Sequence, residues 1–344
     1  MHNFKKIAVS AVSVLLIFVL VSAAMMIPYL QAEYDYYQDS RLRGELAGEI
    51  ECVALGSSQI QSGILPAVLD QQWSCTSYNL SNILMTTHAK TFFLEKEIAR
   101  NPVDTVILEL SYDTLRLDAH TDDLYGDAFS FARLDSAAER RAFLSGYMGL
   151  NDYSSLYARI FLSSLQYWMD RLTGGSLDNV EDGKKGYREL ESHDVSLTAE
   201  KAAETHNASH YPTGYQEKNM EDFRGMIELC RRRKIRVVVV TVPVAGSTVW
   251  NYENLNEIYS WNKDFCAENQ VEYYDFNLLR DRYTMFEDNG SFFDPTHLSA
   301  EGAAVFTEKF CDILKEAETE DVSRYFYPSY EAMKADSPYM AYLP

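Results

Sequence analysis

The chain has 344 residues, 47% of them hydrophobic, and carries 31 Lys+Arg against 51 Asp+Glu for a formal net charge of −20. That apolar share excludes a wholly disordered chain, and the length allows one large α/β domain with an insertion or two small domains. The acidic balance excludes a broad basic surface for nucleic acid or anionic polymers, and its ordinary meaning is solubility.

Lys5 and Lys6 precede an apolar run from Ile7 to Ile27, interrupted only by Ser10, Ser13 and Ser22. About 20 apolar residues cross a bilayer as a helix, and positive flanks stay in the cytoplasm. Residues 1–30 are therefore expected to be a single-pass anchor spanning through residues 7–27, with the rest of the chain extracytoplasmic. The competing reading is a signal peptide cleaved after Ala24, at the small residues Ser22-Ala23-Ala24. The run continues through Met25, Met26 and Ile27, which favours retention. Residues 31–48 are polar and acidic, with Tyr34, Tyr36 and Tyr37, and read as a stalk or a helix leaving the membrane.

The stretch IECVALGSSQ reads as a buried strand ending in a tight turn, and WSCTSYNLS (73–81) as a second strand. Residues 82–100 carry Ile83, Leu84, Phe92, Leu94 and Ile98 at helical spacing, and DTVILELSY (104–112) is an interior parallel strand. Residues 113–215 break the rhythm and are expected to be a mostly helical inserted lobe or lid. Its main amphipathic helix is placed at 159–172 and an exposed loop at 174–186. A helix over 217–234 puts Met220, Phe223, Ile227 and Cys230 on one face, and its closing run of Arg231, Arg232, Arg233 and Lys234 suits a helix C-terminus. IRVVVVTVPV (235–244) is the clearest central strand. A helix (252–269), a strand (271–276) and a final helix (300–317) follow, and the aromatic tail 318–344 is expected to lie across the domain surface. Strand-helix alternation implies a parallel sheet between two layers of helices, with ligand sites at the carboxyl ends of the strands.

Cys52, Cys75, Cys230, Cys266 and Cys311 show neither a CxxC pair nor metal-type spacing, so no disulfide framework is indicated. An odd number leaves at least one free thiol unless two chains are bridged. His206 and His210 stand four apart, but Asn207 and Pro212 argue for a loop rather than a metal-binding helix face. The Tyr-rich insertion with Trp168 could wall a carbohydrate site; core packing is the more ordinary use.

Ser58, in Leu55-Gly56-Ser57-Ser58-Gln59, follows the first strand directly, where its hydroxyl is exposed and its own N–H can face an oxyanion. Taken alone, Gly-Ser-Ser is a common turn and cap. Asp294-Pro295-Thr296-His297 lies in the last loop before the last helix. Its spacing lets the carboxylate orient the His297 ring and leaves the other ring nitrogen free as a general base. Pro295 stiffens that loop, and Ser299 can cap the helix beyond.

Together these blocks resemble the SGNH/GDSL hydrolase superfamily. Gly56-Ser57-Ser58 is similar to its Gly-Asp-Ser block, and Asp294-Pro295-Thr296-His297, continued by Leu298-Ser299-Ala300-Glu301-Gly302, is similar to its last block. The likeness covers roughly residues 50–112 and 218–317. It implies a flavodoxin-like three-layer sandwich over 49–317, with Ser58 as nucleophile, His297 as base and Asp294 as its orienting acid. Two blocks depart from the pattern. Tyr78-Asn79-Leu80-Ser81 lacks the oxyanion glycine, and Glu109-Leu110-Ser111-Tyr112-Asp113 lacks the usual asparagine. The expected oxyanion donors are Ser58, Asn79 and Ser111. Ser57 in place of Asp, together with the anchor, is more loosely similar to anchored proteins that work beside membrane-bound O-acyltransferases in teichoic acid D-alanylation or exopolysaccharide acetylation.

The expected function is extracytoplasmic serine-dependent acyl-ester chemistry, transfer or hydrolysis, on a cell-envelope glycopolymer or polysaccharide, with no metal or organic cofactor. The alternative is a non-catalytic scaffold that binds a membrane-bound O-acyltransferase.

Overall fold

Short β-branched runs become strands, and the amphipathic stretches between them become helices. The computed structural model describes residues 2–37, 43–116, 124–145, 150–174, 184–286 and 288–343. In chain order it opens with α1 (His2–Tyr37), β1 (Cys52–Leu55), α2 (Ser58–Gly63) and α3 (Pro66–Trp73). β2 (Ser77–Asn79), α4 (Thr87–Arg100) and β3 (Thr105–Glu109) follow. Next come α5 (Leu124–Ala132), α6 (Ala137–Ser145), α7 (Leu150–Leu172) and α8 (Ala199–Thr205). The alternation resumes with α9 (Glu217–Arg233), β4 (Arg236–Thr241), α10 (Gly246–Asn251), α11 (Leu255–Glu268) and β5 (Glu272–Asp275). After α12 (Arg282–Met285), the hairpin β6 (Phe292–Asp294) and β7 (His297–Leu298) leads into α13 (Ala300–Ala317). The tail carries α14 (Tyr330–Ala335).

The strands form one parallel sheet in the order β2-β1-β3-β4-β5, the flavodoxin-like order. Val53 pairs with Val106, Val106 with Val237, and Val239 with Tyr273. Alternation along the strands divides the core in two. Cys52, Ala54, Ile107, Val238 and Val240 share a core with Phe276 and with Phe306 and Phe310 of α13. Val53, Val106, Leu108 and Val239 are equally buried and face the other way, toward the layer in which α4 and α9 meet.

The boundaries differ from the sequence expectation in physically clear ways. The strand placed at 73–81 shrinks to Ser77–Asn79, because Pro66 starts a helix that ends at Trp73 and Ser74 turns left-handed at φ 53°. The helix placed at 82–100 begins at Thr87, where Thr86 caps it by accepting from Ala89 N–H.

Two compact units emerge: Met1–Arg41 with Leu124–Asp182, and Leu42–Asp123 with Gly183–Pro344. The first is helical. Tyr29 of α1 is buried with Ala128 of α5 and with Leu156 and Ile160 of α7. Tyr29 and Tyr167 meet edge to face at 6.0 Å, and the Trp168 indole N–H donates to the Met25 carbonyl at 3.2 Å. Ser10–Ala32 within α1 is long and apolar enough to cross a membrane, with a mean hydropathy of 2.6.

The second unit holds the sheet and the remainder of the expected insertion. Residues 184–215 run along it through Arg188 N–H to Gln61 O, His193 N–H to Phe292 O and Val195 N–H to Asp288 O. Most of the loop expected at 174–186, and part of the stalk expected at 31–48, lie outside the described residues. The tail binds tightly to this unit. Tyr330 donates to Asp275 Oδ2 at 2.7 Å, and Tyr339 is buried beside Trp250. All five cysteines are free thiols.

Candidate active site

The position of Ser58 is set by a turn that only glycine fits. A Cβ on Gly56 would lie 2.3 Å from Ile60 Cγ1 and 2.6 Å from Glu109 Oε2. The chain can therefore leave β1 hard against β3. Ser57 then caps α2, its hydroxyl accepting from Gln59 N–H at 3.2 Å and donating to Glu109 Oε1 at 2.8 Å. Ser57 N–H donates to Glu109 Oε2. Ser58 is thus held at the carboxyl end of β1, at the mouth of a cleft of about 180 Å³.

His297 reaches the same point from the β6–β7 hairpin. Ser58 Oγ lies 2.7 Å from His297 Nε2, and His297 Nδ1 lies 2.8 Å from Asp294 Oδ2 and 2.9 Å from Oδ1. Asp294 Oδ1 also accepts from Thr296 N–H at 2.8 Å, Thr296 Oγ–H at 2.9 Å and His297 N–H at 2.9 Å. Burial by itself would raise the Asp294 pKa, but the ring N–H of His297 and the donors of Thr296 outweigh it and hold it at about 2. An ionised Asp294 fixes the tautomer: Nδ1 carries the proton, and Nε2 is left as a base facing Ser58. The hairpin is anchored beyond the site, where Ser299 caps α13 by accepting from Gly302 N–H at 3.2 Å.

The expected oxyanion donors fall in different places. Ser58 is the first residue of α2 and lines the cleft, and its N–H makes no hydrogen bond within the chain among the described residues. Asn79 is fully buried, and its amide donates to the carbonyls of Ile60 at 2.8 Å and Ile64 at 3.0 Å. It fastens α2 to β2 and does not line the cleft. Ser111 does line the cleft, but its N–H and hydroxyl are tied to Thr114 Oγ1 at 3.0 and 2.9 Å.

Sequence reading passed over several cleft residues. Lys90, on the first turns of α4, is 2% exposed and lines the cleft. Its ammonium lies 3.8 Å from Glu109 Oε2, and burial lowers its pKa although Glu109 opposes this. Lys90, Phe93, Leu94 and Glu97 form one buried stripe of α4, and a lysine in such a stripe is the signal that could have marked it. Tyr112 and Tyr211 form an aromatic wall, their rings 5.2 Å apart, with Tyr211 stacked on Tyr252 at 3.9 Å. Asp113 beside them is raised by burial against the pull of Arg116. Tyr211 belongs to the part of the expected insertion that runs along the sheet-bearing unit.

The remaining candidates have partners of their own. His206 lies against Trp250, with ring centroids 4.2 Å apart, whereas His210 bonds Glu253 at 2.8 Å. Trp168 packs within the helical unit.

No protein-family model matches the sequence, and no curated protein matches it. Three solved structures show a distant likeness. A candidate acylhydrolase from Bacteroides fragilis NCTC 9343 is 11% identical, with a TM-score of 0.38, over 81% of this chain and 94% of its own. The lipase/acylhydrolase from Enterococcus faecalis is 13% identical, with a TM-score of 0.35, over 78% and 97%. A GDSL-like lipase from Bacteroides thetaiotaomicron VPI-5482 is 11% identical, with a TM-score of 0.38, over 83% and 99%.

Proposed function

We propose that this chain performs serine-dependent acyl-ester chemistry at Ser58. The observation that carries the reading is the continuous relay from Ser58 Oγ through His297 to Asp294, with links of 2.7 and 2.8 Å, opening on a cleft. Hydrogen-bond reach for such pairs is about 2.6–3.2 Å.

In this reading Ser58 Oγ attacks the acyl carbonyl as its proton passes to His297 Nε2. The C–O bond to the leaving alcohol breaks, and His297 returns the proton to that oxygen. Asp294 holds the ring and stabilises its cation without taking the proton. Water, or the hydroxyl of a sugar or polyol, then attacks acyl-Ser58 with His297 again as base. The cleft's limited volume and its walls of Leu84, Met85, Tyr112 and Tyr211 suit a small acyl group.

The location we propose is the outer face of the cytoplasmic membrane, anchored by α1, with a cell-envelope glycopolymer as acceptor or substrate. It is supported by Lys5 and Lys6 ahead of an apolar helix. A second reading, a scaffold for a membrane-bound O-acyltransferase, is favoured by the commitment of the Asn79 amide to α2.

A fluorophosphonate probe separates the two. Labelling of the full chain that disappears in Ser58→Ala is the expected result. An unlabelled wild-type chain that also turns over no activated ester would leave only the scaffold.

A further inference from the structure

An acyl-serine mechanism needs donors for the oxyanion, and removing one such donor costs roughly 10²–10³ in turnover. The cleft's polar side chains are nearly all committed elsewhere. The Gln59 amide donates to Thr296 O at 3.2 Å, Thr87 Oγ1 pairs with Asn219 at 3.0 Å, and the Tyr112 and Tyr330 hydroxyls bond each other at 2.7 Å. Asn79 and Ser111 are occupied as described.

Lys90 is different. Its ionic partner is Glu109, whose Oε2 lies 3.8 Å from Nζ and opposes the effect of burial on the ammonium. That same oxygen receives the N–H of Ser57, the residue before Ser58, and Lys90 and Ser58 line the same cleft. A buried ammonium carries a desolvation cost that one carboxylate at 3.8 Å offsets only in part, and an oxyanion formed in the cleft would relieve the rest.

Resting on the acyl-serine reading, we propose that Lys90 is a catalytic residue: together with Ser58 N–H, its ammonium forms the oxyanion site of this cleft. As Ser58 Oγ bonds to the carbonyl carbon, the C=O π pair moves onto oxygen, and Lys90 donates a hydrogen bond to that oxygen without transferring its proton. Collapse of the tetrahedral intermediate restores C=O and expels the alcohol oxygen, which takes its proton from His297. Glu109, 3.8 Å from Nζ, keeps the ammonium in place.

The test compares full-length wild type, Ser58→Ala, Lys90→Met and Lys90→Arg on 4-nitrophenyl acetate. Lys90→Met is expected to lose about 10²–10³ in kcat with KM changed less than about threefold, and Lys90→Arg to recover part of the loss. A kcat for Lys90→Met within about threefold of wild type overturns the role of Lys90 and leaves the acyl-serine reading standing. A raised KM with unchanged kcat also overturns it, because the ammonium would then hold the ester equally in its ground state and its transition state. Absence of Ser58-dependent turnover in wild type removes the acyl-serine reading and this role with it. If Lys90→Met does not fold, Lys90→Met/Glu109→Gln removes the stranded carboxylate, and the same kcat comparison against Glu109→Gln decides.

Discussion

Glu109, the last residue of β3, takes both the backbone N–H and the hydroxyl of Ser57, the residue before the candidate nucleophile. The carboxylate is fully buried, and Lys90 is its cationic neighbour. This arrangement explains why serine rather than aspartate occupies position 57. Ser57→Asp should place two carboxylates in contact in a buried site and destabilise the fold by about 3 kcal/mol or more. Adding Glu109→Gln should recover most of that loss. Urea unfolding of the two single variants and the double variant checks it; additive losses would mean the side chains do not interact.

Asp294→Asn tests the tautomer argument. The amide would donate to Nδ1 and leave the proton on Nε2, so the base facing Ser58 would be lost. Turnover should fall by about 10⁴ with little change in stability. Ester hydrolysis against thermal unfolding of the same preparation separates the two effects, and unchanged hydrolysis would remove Asp294 from the relay.

Asp275, at the end of β5, predicts a pH dependence of stability. Burial raises its pKa from 3.8 to about 6, against hydrogen bonds from Tyr330 and Asn277 that lower it. A group whose folded pKa is raised binds its proton more tightly in the native state, so its contribution is present below pH about 4 and is lost by about 6. The loss should be about 2–3 kcal/mol at most. Unfolding free energies measured from pH 4 to pH 7 in wild type and Asp275→Asn should diverge across that window, the variant being flatter. Parallel curves would count against a protonated Asp275.

The tail makes a separate prediction. The Tyr330 hydroxyl joins Asp275 Oδ2 to the cleft residue Tyr112, each link 2.7 Å. Tyr330→Phe leaves two buried oxygens short of a partner and should cost about 1–3 kcal/mol. It should also loosen the Tyr112 wall, raising KM for the ester more than it lowers kcat. A variant as stable as wild type would show that the tail does not brace the sheet.

The apolar strands and the Asp-x-x-His block were readable because their information is local. Val237 to Val240 announce an interior strand by composition alone, and the spacing of Asp294 and His297 already contains their hydrogen bond. Ser58 needed a partner 239 residues away to stand out. The oxyanion side was not readable, because it depends on which side chains the fold uses up. Nothing local in Asn79 shows that its amide fastens α2, and nothing local in Glu109 shows that it closes over Ser57. Lys90 was visible only as a charge in a buried helical stripe. The β6–β7 hairpin escaped because Phe292–Asp294 and His297–Leu298 are too short to carry a period.

The packing of α1 decides what can be cut away from this chain. From Val12 to Val21 its large apolar side chains are exposed, whereas Ser22 and Tyr29 are buried within their own unit. A truncation that starts at residue 31, the usual route to a soluble enzyme, strips Tyr29 from Leu156 and Ile160 and takes the Met25 carbonyl from Trp168. The face of α7 left behind is apolar, and in water it would drive self-association. Purification in detergent micelles with the first helix retained is the preparation that should stay monodisperse.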